Sequence, residues 1–176
     1  MSGHVFVDES KQRDYLLVAA VVMPGDLAGA RRDLRTLVMP GQRRLHIKKE
    51  SDARRNAIVD AIASTGATAT VYDAGRPGRH ELDARERCLR ALIVDVAAVD
   101  HHMLILEQDD SLLWWDQQRL IEITREVGCR DTLRYEHRRA EHELLLALPD
   151  AIAWCWAKGG HWRDRVQPLV TQVRPI

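Results

Sequence analysis

Two apolar runs near the start, His4–Asp8 (HVFVD) and Tyr15–Met23 (YLLVAAVVM), constrain the fold more than any other feature of the chain. Both read as strands, and only a short polar stretch with its turn at Lys11–Asp14 links them. A link that short forces an antiparallel hairpin, because a parallel crossover needs a dozen residues or more. Pro24-Gly25 ends the second run. An opening hairpin argues against a purely parallel doubly wound sheet. It also leaves the acidic pair Asp8-Glu9 at the end of the first strand.

The rest of the chain alternates between the two periodicities. Asp26 opens a helix to about Val38, with Arg31, Arg32 and Arg35 on its basic face, and Pro40-Gly41 closes it. Arg43–Lys49 holds His46. Ser51 suits a helix N-cap, Ala53, Ala57, Ile58, Ala61 and Ile62 recur at helical spacing, and Gly66 suits the C-terminal cap. Ala67–Asp73 (ATATVYD) alternates as a strand does. Leu82, Cys88, Leu89, Leu92, Ile93, Val96 and Val99 mark one face of a long helix. His101–Glu107 (HHMLILE) is a strand ending in acid. Ser111 is placed to cap the next helix, which Gly128 stops. Thr132–His137 (TLRYEH) reads as a last strand, and a helical stretch from about Glu141 to Lys158 must accommodate Pro149. The later strand–helix–strand units call for parallel pairing. The pattern predicts an α/β fold with a mixed five-stranded sheet covered by helices. No repeat, low-complexity segment or long linker divides the chain, so residues 1–176 read as a single domain.

Charge and cysteine usage narrow the function classes. Lys plus Arg and Asp plus Glu both number 26, so no global charge draws the chain to nucleic acid or membrane. Locally the balance differs. Between Arg31 and Arg55 stand Arg31, Arg32, Arg35, Arg43, Arg44, Lys48, Lys49, Arg54 and Arg55, against Asp33, Glu50 and Asp52. Such a patch can hold a polyanion where net charge cannot. Cys88, Cys129 and Cys155 form neither a zinc pattern nor a disulfide framework and read as reduced, buried thiols. The apolar runs are too short for a membrane span, and the start leads directly into a strand rather than a signal peptide. A cytoplasmic location is expected.

Three carboxylate positions carry the chemistry. Asp8-Glu9 ends the first strand, where α/β sheets gather binding sites, although a solvated strand-to-turn junction has the same spacing. Glu107 ends the fourth strand, with Asp109-Asp110 following. If that strand lies parallel to the first, Glu107 and Asp8 meet at one sheet edge. Asp150 stands among nearly all apolar neighbours (LPDAIAW), where a carboxylate is costly unless paired, hydrogen-bonded or metal-bound. It reads equally as a first-turn Asp stabilised by the helix dipole after Pro149. Three such carboxylates together would suit Mg²⁺ or Mn²⁺, which favour oxygen ligands. His46, among basic residues before a helix, could orient a phosphate or shuttle a proton, or be structural. Of Trp154 and Trp156, two residues apart, one is expected in the core and the other on a surface. No phosphate-binding lysine loop, dinucleotide glycine motif or nucleophile elbow is present.

The opening VFVDES, the strand YLLVAAVV, the segment RRLHIKKESDARR and the helix ALPDAIAWCWAKGG together resemble a group of uncharacterised bacterial and phage domains in the ribonuclease H-like superfamily. Lys11 stands where that group usually has glycine, and Pro149 where it has alanine. The resemblance implies three antiparallel strands followed by two parallel ones. It implies acids at the ends of strands one and four and on the last helix, which map onto Asp8, Glu107 and Asp150, with Glu9 as the group's second acid. Because strand four of such folds often carries Asp, Asp109 stays as an alternative to Glu107. The activity implied is a nuclease or phosphodiesterase dependent on Mg²⁺ or Mn²⁺. Asp8, Glu107 and Asp150 would be ligands, Glu9 and His46 would assist, and Arg31–Arg55 would face nucleic acid. The alternative is a ribonuclease H-like scaffold without catalysis that serves as a binding or defence-associated interaction module.

Overall fold

The computed structural model describes residues 2–176. Strands β1 (His4–Ser10) and β2 (Leu16–Val22) form the expected hairpin, with Asp8 opposite Val18 and Glu9 opposite Leu17. β3 (Thr68–Asp73) continues the antiparallel order beside β2. On the other side of β1, β4 (Met103–Glu107) pairs parallel to it and β5 (Arg134–Arg138) pairs parallel to β4.

The sheet has six strands, not five, in the order β5-β4-β1-β2-β3-β6. The sixth, β6 (Val170–Pro175), runs parallel to β3 at the edge. The sequence hides it for a physical reason. Its residues are exposed or half-buried throughout, so no face is apolar and the period of two is absent. β5 also starts later than TLRYEH suggests, at Arg134, and His137 lies inside it.

The helices are α1 (Leu27–Arg35), α2 (Asp52–Ala63), α3 (Glu81–Ala98), α4 (Leu113–Val127), α5 (Ala147–Lys158) and α6 (Gly160–Val166). Ser51 caps α2 by accepting the Arg54 N–H, and Gly128 ends α4 in a left-handed conformation (φ 82°) that favours glycine. Ser111 does not cap α4. Its own N–H and hydroxyl instead donate to the Asp109 carboxylate at 2.9 and 2.6 Å, and Leu112 precedes the helix. Pro149 is accommodated in the first turn of α5, where its missing N–H costs nothing.

The pleat divides the interior into two cores. Phe6, Val18, Ala20, Val71 and Ile105 point to one face and pack with α1, α2, α5 and α6. Val5, Val7, Leu17, Tyr72, Leu104 and Leu106 point to the other and pack with α3 and α4. In α3 the stripe Cys88, Leu89, Leu92, Ile93 and Val96 is buried, but its expected ends Leu82 and Val99 are exposed. Trp154 is buried and Trp156 half-buried, and all three cysteines are buried and free. Among the described residues no helix is long and apolar enough to cross a membrane.

Candidate active site

The register of the two central parallel strands builds the site. Val7 pairs with Leu106, so the next residues, Asp8 and Glu107, stand side by side where the pairing of these two strands ends. Both follow residues of the α3/α4 core, and the period of two therefore turns both toward the α5 face. From that face α5 presents Asp150. A cleft of ≈ 580 Å³ opens at this edge, lined by Asp8, Glu107 and Asp150 together with Arg44, His46, Glu9, Lys11, Arg85 and Asp109.

The electrostatics show how closely the acids crowd. Burial, the negative charge of Glu107, that of Asp150 and a hydrogen bond with Glu107 raise the Asp8 carboxyl well above the ordinary range, against a smaller opposing effect of Arg44. Burial also raises Asp150, to about 6, although the Ile47 N–H and Arg44 favour its charged form. The Ile47 amide donates to Asp150 Oδ2 at 3.1 Å. The Ile47 carbonyl accepts from Arg55 Nε at 2.9 Å, and the Arg55 guanidinium lies 4.5 Å from the centre of the Trp154 ring. That peptide, which follows His46, is thus clamped from both sides.

His46 is half-buried, and its Nε2 lies 3.9 Å from Asp150 Oδ1, outside hydrogen-bond range. Burial, Arg44 and Lys49 lower its pKa, so the ring is neutral at pH 7. Arg44 Nη1 donates to Glu107 Oε1 at 2.6 Å. Asp109, the alternative to Glu107, is exposed and holds the Ser111 turn, so Glu107 is the acid beside Asp8.

Glu9 lines the same cleft from the other face of the sheet. β1 continues through Ser10, so the pleat is unbroken and sends Glu9 to the opposite face from Asp8. There Arg85 reaches it, the Tyr15 hydroxyl donates to Glu9 Oε2 at 2.6 Å, and Lys11 lies 3.3 Å from Oε1. Arg85 also makes a two-pronged pair with Asp116 (2.7 Å each), whose Oδ2 lies 3.2 Å from His137 Nε2. Burial works against the Asp116 charge, but the Arg85 and His137 hydrogen bonds outweigh it and its pKa is lowered. Arg85 and Asp116 carry a sequence signal that motif reading passed over. Each is a charge on an apolar stripe, Arg85 with Cys88, Leu89 and Leu92, Asp116 with Leu120 and Ile123.

About half of the basic stretch is spent on ion pairs within the fold: Arg31 with Glu143, Arg43 with Glu141, Arg44 with Glu107, Arg54 with Glu50 and Arg55 with Asp52. Lys48 is exposed and lines a shallow depression with His46 and Asp150 beside the cleft. Arg35 lines a separate groove with Glu141 and Glu143.

For a divalent ion, the donor set fits by chemistry. Three carboxylates supply hard oxygen ligands, and burial, with the neighbouring acids, disfavours the charged forms of Asp8 and Asp150, which a cation would favour. As they stand, no three His, Cys, Asp or Glu side chains among the described residues form a metal-holding group.

The six-stranded mixed sheet, its strand order and the helices on both faces define a ribonuclease H-like fold. A solved structure of the PCNA:RNase HII complex from Archaeoglobus fulgidus aligns over 96% of this chain and 77% of its own, with a TM-score of 0.52 and 13% identity. Bst-RNase HIII in complex with Mn²⁺ aligns over 87% of this chain and 51% of its own, with a TM-score of 0.48 and 16% identity. No protein-family model and no curated protein matches the chain.

Proposed function

We propose that the chain is a divalent-metal-dependent nuclease or related phosphodiesterase, as the carboxylate cluster at the end of β1 and β4 supports. The single observation that carries this reading is the side-by-side placement of Asp8 and Glu107 at the ends of the paired β1 and β4 segments, with Asp150 of α5 lining the same open cleft. Crowding like charges in a partly buried place raises their proton affinity, a pattern that gathers at sites where a cation or a reaction uses it. Asp8, Glu107 and Asp150 would hold Mg²⁺ or Mn²⁺, which when bound would lower the pKa of water and stabilise a leaving phosphate oxygen.

The chain's own groups then have distinct tasks. Asp150 accepts the Ile47 N–H and so sets the position of the loop that carries His46. His46, neutral at pH 7, is poised to accept a proton at Nε2 on the cleft side of Asp150. Glu9 assists indirectly, by tying β1 to Arg85 and Tyr15. Lys48 supplies positive charge at the mouth for a nucleic-acid backbone, with the remainder of Arg31–Arg55 secondary. The motif resemblance extends the reading to membership of the bacterial and phage group, with the chain acting as a single domain.

Incubation of the protein with single- and double-stranded DNA and RNA plus Mn²⁺ tests the reading. Cleavage is expected for the native protein and a loss of at least about a thousandfold for Asp8→Asn. Cleavage that survives this substitution would remove the site assignment. The Arg44–Glu107 pair favours one second reading, an inactive binding scaffold whose acids are already neutralised. Calorimetric titration with Mn²⁺ separates the two, since only the first expects binding that Asp8→Asn abolishes.

A further inference from the structure

Arg44 is the cation that touches the carboxylate cluster directly. Its neighbours in the loop alternate: Arg43 points outward and is 86% exposed, Leu45 is buried, and Arg44 and His46 turn into the cleft. Arg44 Nη1 is on Glu107 Oε1 at 2.6 Å, and its charge acts on Asp8, Asp150 and His46 alike. The rest of the guanidinium is not used: Nε is shielded from solvent and has no acceptor, and the hydrogen bonds of the group end at Glu107. Arg54 and Arg55, close by in sequence, instead satisfy both Nε and Nη2 on carbonyl and carboxylate oxygens.

We infer that Arg44 is an exchangeable counter-ion: it neutralises Glu107 while the cluster lacks a divalent cation, and on metal binding it turns to a phosphate oxygen of the nucleic-acid strand. The inference rests on the metal-dependent reading above. Arg44 sits in irregular chain between α1 and the turn at Ile47–Lys49, so no helix fixes where its guanidinium reaches. A divalent ion on Glu107 would compete for the same carboxylate oxygens and repel a guanidinium at hydrogen-bond distance. The planar fork would then be free, at the lip of the cleft, for the two-pronged phosphate contact that arginine makes better than lysine. The same residue would therefore oppose the metal and favour the strand.

Those opposite signs make the test. Mn²⁺ affinity is measured by calorimetry. Strand affinity is measured by fluorescence anisotropy with cleavage-resistant phosphorothioate DNA and RNA in Mn²⁺, for native protein, Arg44→Gln and Arg44→Lys. Arg44→Gln is expected to bind Mn²⁺ roughly tenfold more tightly and the strand roughly tenfold more weakly. Arg44→Lys, which keeps the charge and the fold's demand for it, is expected to hold Mn²⁺ near the native affinity and still lose strand affinity. Native Mn²⁺ binding with unchanged or weaker binding in Arg44→Gln overturns the exchange, as does undiminished strand affinity in both variants, and either leaves the metal-dependent reading intact. Absence of Mn²⁺ binding in every protein overturns that reading and this inference with it. If Arg44→Gln melts far below the native protein, Arg44→Lys alone decides: native-like strand binding overturns the inference.

Discussion

Asp150 is held in the folded chain with a carboxyl raised to about 6 from an ordinary 3.8, chiefly by burial. A raised acid means that the folded state binds the proton more tightly than the unfolded chain does. It therefore costs nothing below about pH 4, and its penalty grows as pH rises and is complete above about 6. Asp8 adds a penalty of the same sign. In the metal-free protein Asp8 and Asp150 thus lower stability as pH rises through this window, while His4, His46 and His101, whose pKa values are lowered, raise it over the same range. Asp150→Asn removes one falling contribution, so its melting midpoint should gain on that of the native protein as pH rises, and Mn²⁺ should raise the native midpoint at pH 7. Melting curves of both proteins from pH 4 to 7.5 check this, and a difference that does not change with pH would contradict it. His46 adds a second pH signature. Its lowered pKa puts the loss of proton-accepting capacity below the ordinary 6.5 of a histidine, so cleavage is expected to fall only at more acid pH.

At the scale of elements, α3 and α4 are tied to β1 through Arg85, which is 5% exposed and bridges Asp116 and Glu9. Arg85→Met would leave two acids without their partner in a nearly dry place. It is expected to cost about 3–5 kcal/mol in denaturant unfolding, and Arg85→Met with Asp116→Leu should recover part of that. A loss below about 1 kcal/mol would mean that solvent already screens the pair. The elements were legible in the sequence where one face is buried. The hairpin, α2 and α3 follow from apolar periodicity and a short link, whereas the pairing of β1 with β4, which brings Asp8 and Glu107 together, is only a condition in the sequence and is implied by the resemblance. β6 was not legible, because an exposed edge strand carries no periodicity. Ser111 does not cap α4 as its position suggests, because the Asp109 carboxylate captures it first. The partners of Glu9 were hidden for another reason: they come from α3, α4 and the hairpin turn, and only the fold brings them together.

Over the whole molecule, nearly balanced charge means that strand binding must come from a small, local field. About half of the basic stretch is spent on internal ion pairs, and two exposed lysines stand beside the cluster, Lys48 and Lys11, of which Lys11 is paired with Glu9 and Glu81. Affinity for an oligonucleotide is expected to fall with salt, and Lys48→Ala should reduce the log–log salt slope by roughly one unit. Arg35→Ala, in a separate groove, should leave the slope unchanged. The unbroken pleat of β1 carries a last consequence. Asp8 and Glu9 are adjacent in the chain but turn to opposite faces of the sheet, Asp8 toward Glu107 and Asp150 and Glu9 toward Arg85, on two sides of one cleft. Exchanging them, as Asp8→Glu with Glu9→Asp, keeps composition and charge yet changes reach on both sides of the sheet at once. Deleting one residue of β1 ahead of Asp8 would do worse, moving Asp8 into the buried place of Val7 and Glu9 into the place of Asp8. The hairpin's length is therefore a ruler for the chemistry, and its tolerance for insertion or deletion is set by the sheet, not by the turn.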